Sequence, residues 1–597
     1  MDRTVVIGAG PAGLAAAHEL SVLGREAMVL EKDDQVGGIA RTVVYRGYRF
    51  DIGGHRFFTR APSIQRLWEE AMGDDFLVRP RLSRIHYNDR FFHYPLKPVE
   101  ALLGLGPIEA LRILVSYMRA RAFPIDDERS FEDWVVNRFG RRLFEIFFQT
   151  YTEKVWGRPC SKIGAEWAAQ RIKNLDLVAA VRNALLGGRG DGELVTTLID
   201  RFHYPRLGPG MMWERWTERL VRNGIEVRKG SEVTALDHVG GRVVAARTRT
   251  ADGANGSVKG AHFISTMPIR ELVHALRPPP PPEVVAAADR LQYRDFLTVV
   301  LIVDAEELFP DNWIYIHSPD VRVGRIQNFK NWSPEMVPDP STTSLGLEYF
   351  VHEGDDLWSM TDDELIALGA SETARLGLVE ESRVRDGAVV RVRKAYPVYD
   401  GDYREALATI RDWLSTLDNL QLAGRNGQHR YNNQDHSMLT GILAARNVAG
   451  ARHDIWSVNV EEEYHEGSST ERQTPAAARG RTLEEVLAAA FARYDPRALG
   501  AAVGLVMGAG LFLVTAIAML RGPGDPGRML SLIGEYLVGY EVSWAGAGIG
   551  LLGAGIGGFA FGWLLARAIN GLIGWEELLL RRQILARTVD PLEATSQ

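Results

Sequence analysis

The sequence predicts an α/β chain: a Rossmann-like dinucleotide-binding domain interleaved with an α+β substrate domain, then a C-terminal transmembrane helical hairpin. Three observations predict it. The glycine loop Gly8-Ala9-Gly10-Pro11-Ala12-Gly13 joins an apolar strand over 4–7 to a helix over 12–23, and a second strand follows over 27–30. Further strand-like segments stand at 296–303, 345–351, 388–392 and 419–423. Two uncharged stretches, 499–520 and 542–566, are each long enough to cross a bilayer.

Size and composition bound the rest. A chain of 597 residues exceeds one ordinary core, so several domains are expected. A formal charge of −7 without a basic run gives no attraction to nucleic acid, and no such partner is expected. Cys160 is the sole cysteine, which excludes a disulfide framework or a cysteine metal cluster. It reads as an incidental, buried thiol, and no metal site is expected. Met1-Asp2-Arg3 lead straight into the first strand, so no signal peptide is expected.

The nucleotide domain is expected to be discontinuous, over 1–95, 200–275 and 385–455. The substrate and helical domain takes 96–199 and 276–384, a polar linker 456–498, and the hairpin with its tail 499–597. Helical patterns dominate 61–186. Strands are expected over 225–236, 242–249 and 261–266, and helices over 400–417 and 438–449. The run Pro278 to Pro282 fits neither a helix interior nor a central strand, so it links elements. Between the apolar stretches, Gly522-Pro523-Gly524 and Asp525-Pro526 make a turn. Glycines four apart (504 and 508, 546 and 550, 553 and 557) allow close helix contact in a membrane. Arg493, Arg497, Arg581, Arg582 and Arg587 flank the pair, against Arg521 and Arg528 between them. That balance puts the soluble part in the cytoplasm.

Each glycine of the loop has a physical task. Gly8 allows the tight turn, Gly10 lets backbone approach a pyrophosphate, and Gly13 lets helix and sheet pack closely. The helix that opens at Pro11 and Ala12 stabilises phosphate charge at its N-terminus. Glu31, with Lys32 beside it, ends the second strand where an acid binds ribose hydroxyls. Gly37-Gly38-Ile39-Ala40-Arg41-Thr42 follows at once. It resembles the GGxxR[ST] element of amine-oxidase-like flavoproteins, which implies FAD held by Gly38, Ile39, Ala40 and Arg41.

Later motifs narrow the resemblance toward the UDP-galactopyranose mutases. Gly53-Gly54-His55-Arg56-Phe57 is similar to a stretch those enzymes place beside the isoalloxazine, which implies contacts from Gly54 and His55. Tyr151-Thr152-Glu153-Lys154-Val155-Trp156-Gly157 looks like their Tyr-Thr-x-Lys-x-Trp-Gly, with Trp156 as a stacking candidate. Phe144, Phe147, Phe148 and Tyr151 have helical spacing and read as core. The same resemblance implies that Arg171, Arg325, Tyr349 and Tyr396 hold a substrate diphosphate. Arginine's planar fork suits phosphate, and tyrosine adds an uncharged donor. Val233 sits where the superfamily pairs a backbone group with adenine. Gly424, Arg425, Asn433 and Met438 lie in a segment similar to the one that closes over the flavin. Asn432, Asn433 and His436 depart from the mutase pattern there, and the insert over 96–131 and the hairpin are unlike a minimal mutase.

Three functions remain open at this level. One is a mutase-like enzyme on a nucleotide- or polyprenyl-diphospho sugar in cell-envelope glycan synthesis, which would need reduced flavin. Another is an oxidoreductase on a membrane-borne lipid, porphyrin or amine. The third is a flavoprotein that scaffolds an envelope-assembly complex. A homo-oligomer is compatible with each.

Overall fold

Short apolar strands covered on both faces favour a parallel sheet, and Thr4–Ile7 and Ala27–Leu30 are buried throughout. In the computed structural model they form the middle of a five-stranded parallel sheet. Its order is Leu420–Leu422, His262–Ser265, Thr4–Ile7, Ala27–Leu30, Glu226–Arg228. The structure describes residues 3–94, 96, 101, 104–165, 201–400, 402–459, 495–521, 530 and 532–588. Arg171, the stretch 460–494 of the expected linker and the turn at 522–529 lie outside them.

Glycines set how closely this domain packs. The helix Pro11–Val22 begins at Pro11, whose fixed φ suits a first helical position. A Cβ on Gly13 would stand 1.8 Å from the Gly8 carbonyl oxygen, so the helix can lie against the loop only with glycine there. The helix Gln434–Val448 lies equally close on its other side, where a Cβ on Gly441 would stand 2.0 Å from the Ala12 carbonyl oxygen.

The substrate domain is built on a seven-stranded sheet. Its order is Val384–Pro397, Tyr293–Val303, Thr343–Val351, Arg325–Asn328, Trp313–Ile316, Ser83–Tyr87, Arg90–His93. Two of its segments move the expected boundaries. Ser83–Tyr87 and Arg90–His93 come from the stretch 1–95, yet their ladder joins Trp313–Ile316. Val384–Pro397 comes from 385–455 but pairs along Tyr293–Val303. Conversely, the helix Pro282–Arg290 comes from 276–384 and buries Val284, Ala287 and Ala288 in the nucleotide-domain core with Leu236 and Ile410. The helical run expected over 61–186 is likewise broken, by Phe76–Pro80 and the two strands after it. Alternation over only four or five residues is too short to stand out between strong helical patterns.

Residues 471–597 form a separate unit. Its helices Pro496–Arg521 and Trp544–Thr588 pack along a glycine seam. Cβ atoms on Gly504 and Gly508 would each stand 2.5 Å from a carbonyl oxygen of the facing helix, those of Gly555 and Leu551. The facing seam runs through Gly555, Gly558 and Gly562, whereas Gly557, expected in it, meets nothing. Both helices are long and apolar enough to cross a membrane.

The Gly441 contact leaves no room for a side chain. Gly441→Val is expected to force the two helices apart, costing about 1–3 kcal/mol or more and lowering the melting temperature by several degrees. A thermal melt unchanged from wild type would refute the close packing.

Candidate flavin and substrate site

A cavity of about 1650 Å³ runs through the larger unit, lined from both main sheets. Small-ligand pockets usually occupy roughly 300–1,000 Å³, so it has room for a cofactor and a second ligand together.

The nucleotide end is made of backbone. Gly8, Gly10, Pro11 and Ala12 line it at the start of one helix, and Asn433, Gln434, His436 and Ser437 at the start of another. Two helix N-termini thus turn their positive dipole ends toward this space, a setting that suits an anion. A Cβ on Gly38 would stand 3.4 Å from the Gly10 Cα, so the two glycine elements lie side by side with no side chain between them. The Arg41 guanidinium donates to the Gly38 carbonyl at 3.0 Å and lies 3.3 Å from the Asp33 carboxylate. Glu31 accepts from the Ala9 N–H at 2.6 Å and the Asp33 N–H at 3.0 Å, with lone pairs left for hydroxyl donors. Burial pushes its carboxyl above the usual range, while those two N–H groups pull the other way. Lys32, Ile39, Ala40 and Val233 complete this end.

Toward the middle, Gly53, Gly54 and His55 reach the cavity on a loop anchored at Asp51. The Asp51 carboxylate is fully enclosed, accepting from the Thr42 hydroxyl at 2.9 Å and the Tyr204 hydroxyl at 2.5 Å. It ties the end of the Gly37–Thr42 element to the His55 loop. His55 is held neutral: burial, then the charges of Arg425 and Arg325, lower its pKa to about 3. Gly424 and Arg425 close the opposite side. The Arg425 guanidinium lies 4.7 Å from the Tyr431 ring centre and 5.6 Å from that of Tyr396, and those two rings stack at 5.6 Å.

Arg325 commands the substrate end. It pairs across the sheet with the buried Glu348 and sits among Tyr151, Tyr315 and Tyr396. Burial works against its charge, but Glu348 and the surrounding Tyr151, Tyr396 and Tyr315 together more than offset this and hold the guanidinium above its ordinary pKa. Burial also raises Tyr151 and Tyr396, which remain phenols and hydrogen-bond donors. Gln327 donates to the same Glu348 carboxylate. Beyond them the wall turns aromatic: Tyr94, Phe131, Phe147, Phe148 and Trp313.

Several expected site residues stand elsewhere. Tyr349 is fully buried, and its hydroxyl donates to Glu372 at 2.9 Å on the far face of the sheet. Strand alternation explains this: Glu348 and Tyr349 are consecutive, and only Glu348 faces Arg325. Trp156 lies one helical turn past the cavity-lining Thr152, enclosed in the core with Ile163 and Val398. Met438 is also core, its sulfur accepting the Trp68 indole N–H at 3.1 Å. Gly13 packs behind the loop and does not line the cavity. Phe147 and Phe148 pack in the core as expected and also line the cavity, while Tyr151, which read as core, lines the cavity instead. A widened π-type turn at Glu145–Gln149 rotates that helix face. Tyr315, Gln327 and Glu348 carry no sequence signal beyond strand alternation. Cys160 is buried, as expected, and burial pushes its thiol up.

Comparison with known proteins decides the lineage. The family of flavin containing amine oxidoreductases matches residues 11–449. The chain belongs to that family. Its fold is similar to that of reduced UDP-galactopyranose mutase, with a TM-score of 0.67 and 24% identity, covering 77% of this chain and 98% of that one. A putative protoporphyrinogen oxidase from Exiguobacterium sp. 255-15 aligns with a TM-score of 0.55 and 18% identity, covering 74% and 98%. Sequence matches are shorter. An L-amino-acid oxidase of Sistrurus catenatus edwardsii is 30% identical over 135 residues, 20% of this chain and 26% of that one. A neurosporene-forming phytoene desaturase of Cereibacter sphaeroides is 40% identical over 75 residues, 13% and 14%. The chain therefore spans only 26% of the length of that oxidase and 14% of that desaturase.

This family member is an FAD-dependent enzyme, and the cavity suits the cofactor. The glycine cradle leaves space that a Cβ would fill. Gln327 Oε1, Asn426 Oδ1 and Gln434 Oε1 are buried, belong to cavity-lining residues and lack a hydrogen-bond partner among the described residues. Unmet polar atoms of this kind call for a polar ligand.

Asp51 makes stability pH-dependent. Burial pushes its carboxyl up to about 7, with the Tyr204 and Thr42 hydroxyls opposing. The folded value exceeds the unfolded one, so folding takes up a proton between these values. Its contribution is full below about pH 4 and is lost as pH rises through about 7. Asp51→Asn is expected to lose less stability than wild type between pH 5 and 8, by a few kcal/mol at most. Parallel pH–melting curves for the two proteins would disprove this.

Proposed function

We propose that this FAD-dependent enzyme acts on a diphospho-sugar, nucleotide- or polyprenyl-linked, by mutase-like isomerisation. The observation that carries the reading is Arg325 set among three phenols at the substrate end. Glu348 orients the guanidinium from behind, and Tyr151, Tyr315 and Tyr396 offer neutral donors in front. Such an array suits an oxygen-rich, anionic group without itself carrying much net charge. Arg425, stacked on Tyr396 and Tyr431, keeps a second cation at the border with the flavin end. His55 stays neutral at physiological pH, so it places a hydrogen bond without adding charge.

Bound FAD supplies redox and nucleophilic chemistry; the side chains bind, orient and exclude water. Isomerisation returns the flavin to its starting state and consumes no electrons overall. Reduced enzyme is therefore expected to turn over UDP-linked or polyprenyl-diphospho sugars, and oxidised enzyme is not. Equal turnover with and without dithionite would overturn the mutase reading.

The aromatic wall favours a second reading, oxidation of an apolar substrate. Anaerobic flavin bleaching by a lipid, porphyrin or amine, with no dithionite, would select it.

Arg325→Lys keeps the charge and loses the fork. It is expected to raise KM for the sugar diphosphate at least about tenfold while leaving the flavin absorption spectrum unchanged. An unchanged KM would remove Arg325 from substrate binding.

A further inference from the structure

The helix Pro107–Ala122 has two apolar faces. One is buried: Ile113, Tyr117 and Ala120 pack inward, beside Phe131 and Phe147 of the cavity's aromatic wall. The other is bare. Ile108, Leu111, Leu114, Val115 and Met118 are all exposed, Ile108 and Leu111 by 71% and 62%. At 100° per residue these five side chains fall in one continuous strip. Phe123, just past the helix end, is 76% exposed. Isolated exposed apolar residues need no explanation, but a contiguous strip does.

Charge identifies what covers it. On the helical wheel Arg121 borders one edge of the strip, and Arg119 and Arg112 the other. Arg112 lies 3.3 Å from Glu109, while Arg119 and Arg121 have no ion-pair partner among the described residues. An apolar strip with arginines along both margins is the pattern of a helix lying in a membrane interface. Its apolar side enters the acyl boundary, and the guanidinium groups reach back to lipid phosphates. The chain also carries two helices long and apolar enough to cross a bilayer. We propose that Pro107–Ala122 is a second membrane contact, an interfacial helix through which the catalytic unit docks onto an anionic lipid surface. This assignment is independent of the substrate.

Full-length, FAD-loaded protein tests it. Cys160 is buried, so single new cysteines can be labelled selectively. Leu111→Cys and Met118→Cys would carry an environment-sensitive fluorophore. Val239→Cys, at the exposed end of strand Ser231–Val239, serves as control. Retained flavin absorbance verifies folding. In vesicles of phosphatidylcholine with phosphatidylglycerol, the probes at 111 and 118 should shift to the blue. Spin-labelled lipid should quench them several-fold more than the probe at 239. Arg119→Glu with Arg121→Glu should reduce that difference at least twofold. Probes at 111 and 118 as aqueous as the control would overturn the proposal. Shielding before vesicles are added would do the same, since it means cover by the chain itself or by a second copy. Undiminished quenching in the double glutamate variant would overturn the anionic-lipid assignment.

Discussion

Backbone touches backbone where Gly441 meets Ala12, and the architecture of the larger unit depends on that approach. Helix Pro11–Val22 opens the family region and Gln434–Val448 closes it, so distant segments must reach one point for the fold to complete. Their N-termini then face the same space, and two positive dipole ends converge there. Had Gly441 carried a side chain, the helices would be pushed apart and their N-termini would no longer meet at one point.

From that end the cavity changes character in a defined order. Helix termini and glycines come first, where charge is met by backbone dipoles. Neutral His55 and the Arg425–tyrosine stack occupy the middle. Arg325 follows, its charge balanced by Glu348 and its edge surrounded by phenols. Aromatic hydrocarbon comes last.

Legibility followed the physics of each signal. The glycine loop, Glu31 and the Gly37–Thr42 element were readable because nucleotide binding demands particular backbone at particular spacing, and all of them line or back the cavity. The cavity around Arg325 depends on side chains brought together by strand register, Tyr315 opposite Arg325 and Arg325 opposite Glu348, and by a helix that supplies Tyr151, which no local pattern encodes. Tyr349 shows the limit: it matched in type and order, but its register turned it away and presented Glu348 instead. Trp156 failed differently, by one helical turn, and Tyr151 was mistaken for core because an aromatic at helical spacing looks the same in either role. Domain boundaries slipped where strands of four or five residues sat between helical patterns.

The glycine cradle and the residues around Arg325 line one continuous space. Thermodynamic reciprocity follows for any ligand that rests against the flavin. By whatever factor the flavin tightens that ligand, the ligand tightens the flavin. For a ligand that the flavin tightens, the occupied protein holds its cofactor more firmly than the empty one.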